Sequence, residues 1–384
     1  MQTFDVAIVG AGVMGAAAAH ELALEGARVA VFDQAALPNP RAASVDHSKV
    51  FRFAYPDALY VSLAVDALKR WRLLESQSGA RLLTQTGALL LGNREASFET
   101  ACHQAMRSLG LESERLDSRQ SAARFPQFNG DAFAFGVYDP GGGILHAETA
   151  VRILMNLARK RGAVFIEGSR VVEVNQPPGA PNVSIITEHG QEIECGRAMI
   201  ASGPWSRKLI QLLEDKLTTT RQEIVYFAPV QDANRSDTSF EPDRFPIFLE
   251  LESGFYGFPT HFSGAMKIAN HHKGAVVDPD SAEQPVGEAF IRSCRTFFSE
   301  FIPALAGAKV RETRVCVYNN TPDDDFIIDW HPQLDRVLVV TGFSGHGFKF
   351  GPTIGRIAAE LLLSCDTSLN IDRFRLTRFN TRER

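Results

Sequence analysis

The sequence of 384 residues predicts an α/β domain interleaved with an α+β domain built on a mostly antiparallel sheet. Three observations carry this reading. A strand, a glycine-rich turn, a helix and a second strand open the chain over residues 4–33. Two more glycine-containing turns follow apolar strands, near residues 201 and 341. Between these pieces, residues 84–92, 133–138, 222–230, 246–251 and 254–258 alternate in a strand-like way amid frequent Pro and Gly.

Taken in order, residues 4–9 (FDVAIV) are apolar and β-branched, as a buried parallel strand requires. Residues 14–25 are alanine-rich and helical, with Gly26 as the C-terminal cap. Residues 28–32 (RVAVF) form a second buried strand ending at Asp33. A helix over 148–161 leads through strand 163–167 to 170–174, and 175–182 is a turn or loop. Residues 197–201 form a buried strand, and 231–244 a polar loop that is expected to move. Strand 336–340 precedes the last glycine-rich turn, and Pro352 suits the first turn of helix 352–364. This texture assigns 1–85, 146–220 and 321–384 to a cofactor-binding domain, and 86–145 and 221–320 to a substrate domain. No internal repeat is present.

Hydrophobic residues make up 45% and charged residues 22%, so a large core forms and bulk disorder is excluded. The net charge of −5 lacks the basic excess that nucleic-acid binding needs, although a local basic pocket for a small anion remains open. Cys102, Cys195, Cys294, Cys316 and Cys365 form no C-x-x-C. A disulfide framework, a zinc site or a redox dithiol is therefore not expected, and no metal is assigned. The N-terminus carries Gln2 and Asp5 where a signal peptide would be basic. The apolar run 6–19 is short for a membrane span and contains glycines. Arg382, Glu383 and Arg384 do not form a peroxisomal address. A cytoplasmic protein without membrane or nucleic-acid partners is expected.

Gly10-Ala11-Gly12-Val13-Met14-Gly15 matches G-x-G-x-x-G between a strand and a helix. Gly10 permits the tight turn, Gly12 lets the backbone approach a pyrophosphate, and Gly15 lets the helix pack on the strand. The helix N-terminus offers unpaired N–H groups to the phosphates. Asp33 ends the second strand, where a carboxylate accepts from both ribose hydroxyls and repels a 2′-phosphate. The motif alone does not separate NAD from FAD. The stretch from Thr341 to Pro352, which includes Gly342, Gly345, Gly347 and Gly351, suits the far end of a long cofactor such as FAD. Ala201-Ser202-Gly203-Pro204-Trp205 is a third such turn.

Together with Arg314-Val315-Cys316-Val317-Tyr318-Asn319-Asn320-Thr321-Pro322-Asp323 and Gly342-Phe343-Ser344-Gly345-His346-Gly347-Phe348-Lys349, these residues carry a family resemblance. Over essentially its whole length the chain resembles the FAD-dependent amine oxidases of the monomeric sarcosine oxidase, pipecolate oxidase, N-methyltryptophan oxidase and fructosyl amino-acid oxidase family, within the D-amino-acid-oxidase-like superfamily. The resemblance implies a Rossmann-type FAD-binding domain and a flavin bonded through its 8α-methyl to Cys316. It implies cofactor contacts from Gly10, Gly12, Gly15, Asp33, Ser44, Lys49, Val172, Gly203, Trp205, Gly345, Gly347, Phe348 and Lys349. Arg52 and Lys349 match the pair that holds the substrate carboxylate, where a guanidinium gives two parallel hydrogen bonds. Lys267 matches the lysine that activates O2 near flavin N5, and His271, Tyr256 and Tyr318 match other active-site positions. The expected partners are a small amino-acid substrate and O2, and the expected state is a monomer.

The chain departs from the sarcosine oxidases at Val45 and Lys49, where they carry a histidine and an arginine. Asp46-His47-Ser48-Lys49 is closer to the fructosyl amino-acid and saccharopine-type oxidases. That departure points away from sarcosine and toward a larger N-substituent. The expected reaction is oxidation of the C–N bond of a secondary amino acid to an imine, with O2 reduced to H2O2. The alternative is a dehydrogenase of the same fold that uses a quinone or protein acceptor.

Overall fold

The computed structural model describes residues 4–229, 238–281 and 285–382. Gln2, Glu383, Arg384 and residues 231–237 of the 231–244 loop lie outside the described residues. The loop's remainder is anchored, since Phe240 is buried against Phe245.

The first sheet is centred on Phe4–Val9, which pairs in parallel with Val29–Phe32 on one side and Glu192–Ile200 on the other. Val164–Ile166 extends it in parallel beyond Val29–Phe32, and Val337–Thr341 pairs in parallel with the end of Glu192–Ile200. Val171–Asn175 leaves this parallel order. It forms an antiparallel meander with Val183–Thr187 and the start of Glu192–Ile200. Its outward residues are exposed or half-buried, as in a sheet with one wet face. Helices Val13–Leu24, Ala147–Lys160 and Gly351–Ser364 are packed together over the sheet. Ala16, Ala17, Ala18 and Ala19 are buried, which lets the first helix lie between the other two.

The second sheet has eight strands in the order Lys309–Asn320, Thr218–Ala228, Ala265–Asn270, Phe255–Phe262, Ile247–Glu250, Ala88–Gly92, Phe135–Asp139, Glu114–Asp117. It is antiparallel except where Ile247–Glu250 meets Ala88–Gly92. Helix Glu288–Phe301 covers one face through a phenylalanine-rich core that includes Phe227, Phe248, Phe297 and Phe298. The two-residue period of a strand sends Tyr226, Lys267, Cys316 and Tyr318 to the opposite face. A third sheet of Lys49–Phe51, Gly143–Leu145 and Leu83–Gln85 carries Lys49.

Helix Ala58–Ser78 was not anticipated. It buries Tyr60, Val61, Leu63, Ala64, Ala67, Trp71 and Leu74, begins at an Asp57 cap and ends at Gly79 with φ +72°. Among the described residues no helix is long and apolar enough to cross a membrane, and no cluster of metal-ligating side chains occurs. All five cysteines are free thiols.

Candidate active site

The first glycine turn is built for close backbone packing. Gly10 has φ +104°, and a Cβ there would stand 2.5 Å from the Ala201 carbonyl oxygen. A Cβ on Gly15 would stand 1.9 Å from the Gly10 carbonyl oxygen, so the helix can enter only over glycine. Gly12 caps the helix without a side chain, and Val13 donates its N–H to Ser44 Oγ at 2.9 Å. The Asp33 carboxylate accepts from Ala11 N–H at 2.9 Å and from Asn39 Nδ2 at 2.8 Å. Burial raises its pKa against these bonds. Opposite stand Val172, half exposed, and Trp205, whose Nε1 donates to Asp280 at 2.7 Å.

The last glycine turn places Gly342, Ser344 and Gly345 at positive φ. A Cβ on Gly345 would meet the Tyr318 ring at 2.2 Å, so this turn lies directly on the strand that carries Cys316. One continuous cleft is lined by Gly10, Gly12, Asp33, Ser44, Lys49, Val172, Gly203, Trp205, Cys316, Tyr318, Gly345, Gly347 and Phe348. Gly15, packed on the Gly10 carbonyl, and Lys349 are not among its lining.

Lys49 and Lys267 stand on the Cys316 side. Lys49 Nζ is 3.7 Å from the Cys316 sulfur. Lys267 is 1% exposed and donates to Asp46 Oδ2 at 2.5 Å and to the Ser48 carbonyl at 2.8 Å. Burial draws its pKa down to about 8 even against the attraction of Asp46. Burial would raise the Asp46 pKa, but the Lys267 and Lys49 charges overcome this and hold it far below the ordinary carboxylate range. Lys267 is thus an ion-paired cation inside the wall of the site.

Arg52 and Lys349 stand near His271, whose ring neighbours Tyr318. The Arg52 guanidinium lies 4.0 Å over the Tyr55 ring, and its buried Nη1 has no hydrogen-bond partner. Lys349 Nζ donates to Tyr55 Oη at 2.8 Å and to the His346 carbonyl at 2.7 Å. Burial and then the Arg52 charge hold the Lys349 pKa well below that of a free ammonium. Among the described residues neither cation is paired with a carboxylate. Asp139 fixes the backbone just after Arg52 by accepting from Phe53 N–H at 2.6 Å and Ala54 N–H at 3.2 Å. His271 faces these cations, and burial followed by the Arg52 charge takes its pKa to about 4. Its ring is 5.8 Å from that of Tyr318, whose hydroxyl is 3.4 Å from Tyr256 Oη.

Asp46, Tyr55, His346 and Asp139 were not assigned roles from sequence. Asp46 and His346 lie inside stretches already singled out. No spacing in the chain marks Tyr55 or Asp139.

The donor set fits an FAD. A helix N-terminus faces the cleft at one end, a buried carboxylate stands beside it, and a thiol next to a cation stands far along the same cleft.

Comparison with known proteins agrees. The family described as FAD dependent oxidoreductase matches residues 5–361. The chain is 32% identical to the peroxisomal sarcosine oxidase of Mus musculus, with 98% of this chain and 97% of that protein aligned. It is 28% identical to the N-methyl-L-tryptophan oxidase of Salmonella agona (strain SL483), covering 98% of this chain and 99% of the relative. Its fold is that of the solved L-proline dehydrogenase from P. horikoshii, at a TM-score of 0.86 and 20% identity over 99% of this chain and 98% of that one. The chain therefore belongs to the sarcosine-oxidase-like FAD-dependent oxidoreductases and is an enzyme acting on amine donors.

Proposed function

We propose that the enzyme oxidises the C–N bond of a secondary amino acid, N-substituted or cyclic, to the imine, with O2 reduced to H2O2. The observation that carries this is the Arg52 and Lys349 pair: two buried cations without a carboxylate among the described residues, one with an orphaned Nη1, beside His271, whose ring neighbours Tyr318 in the wall of the cleft that also holds Cys316. Bound FAD would supply the redox chemistry, so that the two electrons and two protons lost as the C–N unit becomes an imine reduce O2 to H2O2.

The chain's own residues bind, orient and charge the site. Arg52 and Lys349 hold the substrate carboxylate. That contact relieves both unpaired charges and turns the amine toward the cleft. His271 is held neutral by burial and the Arg52 charge, so it adds no positive charge beside the amine. Tyr256 and Tyr318 close the same wall. Cys316 is the residue to hold the flavin as a thioether, with the Lys49 cation beside its sulfur. Lys267 is the fixed positive charge that favours electron transfer to O2. The Asp46-His47-Ser48-Lys49 segment favours an N-substituent larger than methyl.

A second reading is a dehydrogenase that passes electrons to a quinone or protein. It is favoured by the Lys267–Asp46 pair, which weakens the field that O2 would feel. Both are tested by anaerobic bleaching of the flavin with sarcosine, pipecolate, proline, saccharopine and fructosyl amino acids, followed by air. Bleaching by one compound and fast recovery supports the oxidase. Bleaching with slow recovery supports the second reading. No bleaching by any of them overturns the secondary-amine assignment. Acid-precipitated enzyme should stay yellow, and Cys316→Ser should release the colour.

A further inference from the structure

Asp46 precedes the short strand Lys49–Phe51 and is 1% exposed, yet it is ionised and surrounded by donors. Its Oδ1 accepts from Tyr226 Oη at 2.7 Å and from His47 N–H at 2.8 Å, and Arg314 Nη1 stands 3.4 Å away. Its Oδ2 lies 2.5 Å from Lys267 Nζ and 3.7 Å from Lys49 Nζ. Every element packed on Lys267 offers it something different. The Asp46–Lys49 segment gives Asp46, the Ser48 carbonyl and the repelling Lys49. Strand Thr218–Ala228 gives Tyr226, which reaches Asp46. Strand Lys309–Asn320 gives Cys316 and Arg314, with Glu312 and His47 beyond at the rim. Strand Phe255–Phe262 gives the Phe258 ring, 4.8 Å from Nζ, and His261, whose Nε2 is 2.9 Å from Ser48 Oγ. Tyr256 faces Lys49 on the same side, and His146 lies behind His261. His261 is neutral, because burial takes its pKa to about 4. Asp46 is therefore the carboxylate in contact with Lys267, while burial and Lys49 both favour the uncharged amine.

We propose that Asp46 is a positioning residue for the oxygen half-reaction: it keeps Lys267 an ammonium inside the core and fixes it against the wall that carries Cys316 and Lys49. The proposal rests on the reading of Lys267 as the oxygen-side cation. It adds that an aspartate on a loop, 221 positions away in sequence, sets the pH range over which that cation exists. Without the carboxylate charge, burial and Lys49 act unopposed and Lys267 loses its proton at lower pH.

The test compares wild type, Asp46→Asn, Lys267→Met and the double variant as holoenzymes. Two quantities are followed against pH: the rate at which anaerobically reduced enzyme reoxidises on mixing with O2, and the absorbance spectrum of the resting oxidised flavin. In wild type both should break near pH 8, where Lys267 titrates. Lys267→Met should lack the break in both and reoxidise slowly. Asp46→Asn should move the break down by about one unit or more, and slow reoxidation at pH 7.5 by about tenfold or more. Reduction by substrate should change much less. In the Lys267→Met background, Asp46→Asn should add little. A break that stays in place in Asp46→Asn, or reoxidation that speeds up, overturns the proposal. If Lys267→Met reoxidises at the wild-type rate, the oxygen-side reading of Lys267 fails. The spectral break and its shift still decide the ion pair. Should Asp46→Asn not fold, recovery of folding in the double variant supports the pair, and failure of both overturns it.

Discussion

Arg52 has the most informative surroundings of any side chain in the site. A guanidinium with a buried, partnerless Nη1 costs stability in the free enzyme, and a carboxylate ligand removes that cost. Lys349 responds to the same ligand, because a bound anion offsets the burial and the Arg52 repulsion that now discourage its charge. Arg52→Gln should therefore raise KM by about 100-fold, from roughly 3 kcal/mol of lost charged hydrogen bonding. Steady-state kinetics should show a much smaller change in kcat, and a substrate methyl ester should bind the two proteins alike. An equal loss with acid and ester would remove Arg52 from carboxylate binding. Arg52, Lys349, Cys316 and Lys267 were named from the sequence through the family resemblance. The partners that tune them were not. Asp46 meets Lys267, and Tyr55 meets Lys349, only after distant segments are brought together, and no periodicity records such a meeting.

At the scale of elements, the cofactor end depends on two helices approaching almost to backbone contact. A Cβ on Gly355, in helix Gly351–Ser364, would stand 2.5 Å from Ala17 Cβ and 2.6 Å from the Ala17 carbonyl carbon. Ala17 belongs to the helix whose N-terminus faces the cleft, so displacing one helix moves the other. Gly355→Leu should cost about 1–3 kcal/mol by overpacking. It should lower both the thermal midpoint and the flavin content per chain, while Gly162→Leu, at an exposed position strained only by its φ of +93°, should lower the midpoint and leave the flavin content unchanged. An unchanged midpoint for Gly355→Leu would show that the helix pair can part without consequence. Both of these helices were readable from sequence, since alanine richness and flanking glycines mark them. Helix Ala58–Ser78 went unread although Asp57 and Gly79 bracket it, because no glycine-rich strand turn flags its start. The strand expected over 170–174 after strand 163–167 does not continue the parallel order. The alternation in VVEVN is instead the signature of the antiparallel meander it joins.

For the molecule as a whole, the four most depressed histidines lie in different parts of the fold and stay neutral for the same reason. His20 sits 2% exposed in helix Val13–Leu24, His261 and His271 lie on or beside the second sheet, and His346 lies in the last glycine turn. Burial takes the first three to about 4 and His346 well below its ordinary value, with neighbouring cations such as Arg161, Lys267, Arg52 and Lys349 adding to it. In the unfolded chain each titrates at about 6.5. Below that pH the unfolded chain binds protons that the folded one refuses, so the stabilisation is complete above pH 6.5 and is lost as pH falls toward 4. His20 alone accounts for up to roughly 3 kcal/mol over that interval. Asp280, held by Lys208 and Trp205 against its own desolvation, titrates later, at about 2, whereas Asp139, raised by burial to about 6, takes up a proton inside the window and offsets part of the loss. The thermal midpoint should therefore fall between pH 6.5 and 4, before the Asp280 carboxylate protonates. His20→Gln takes no proton in either state, so its midpoint should fall less steeply across that window and converge on or exceed the wild-type value near pH 4. A parallel fall in both proteins would assign the acid loss to the carboxylates.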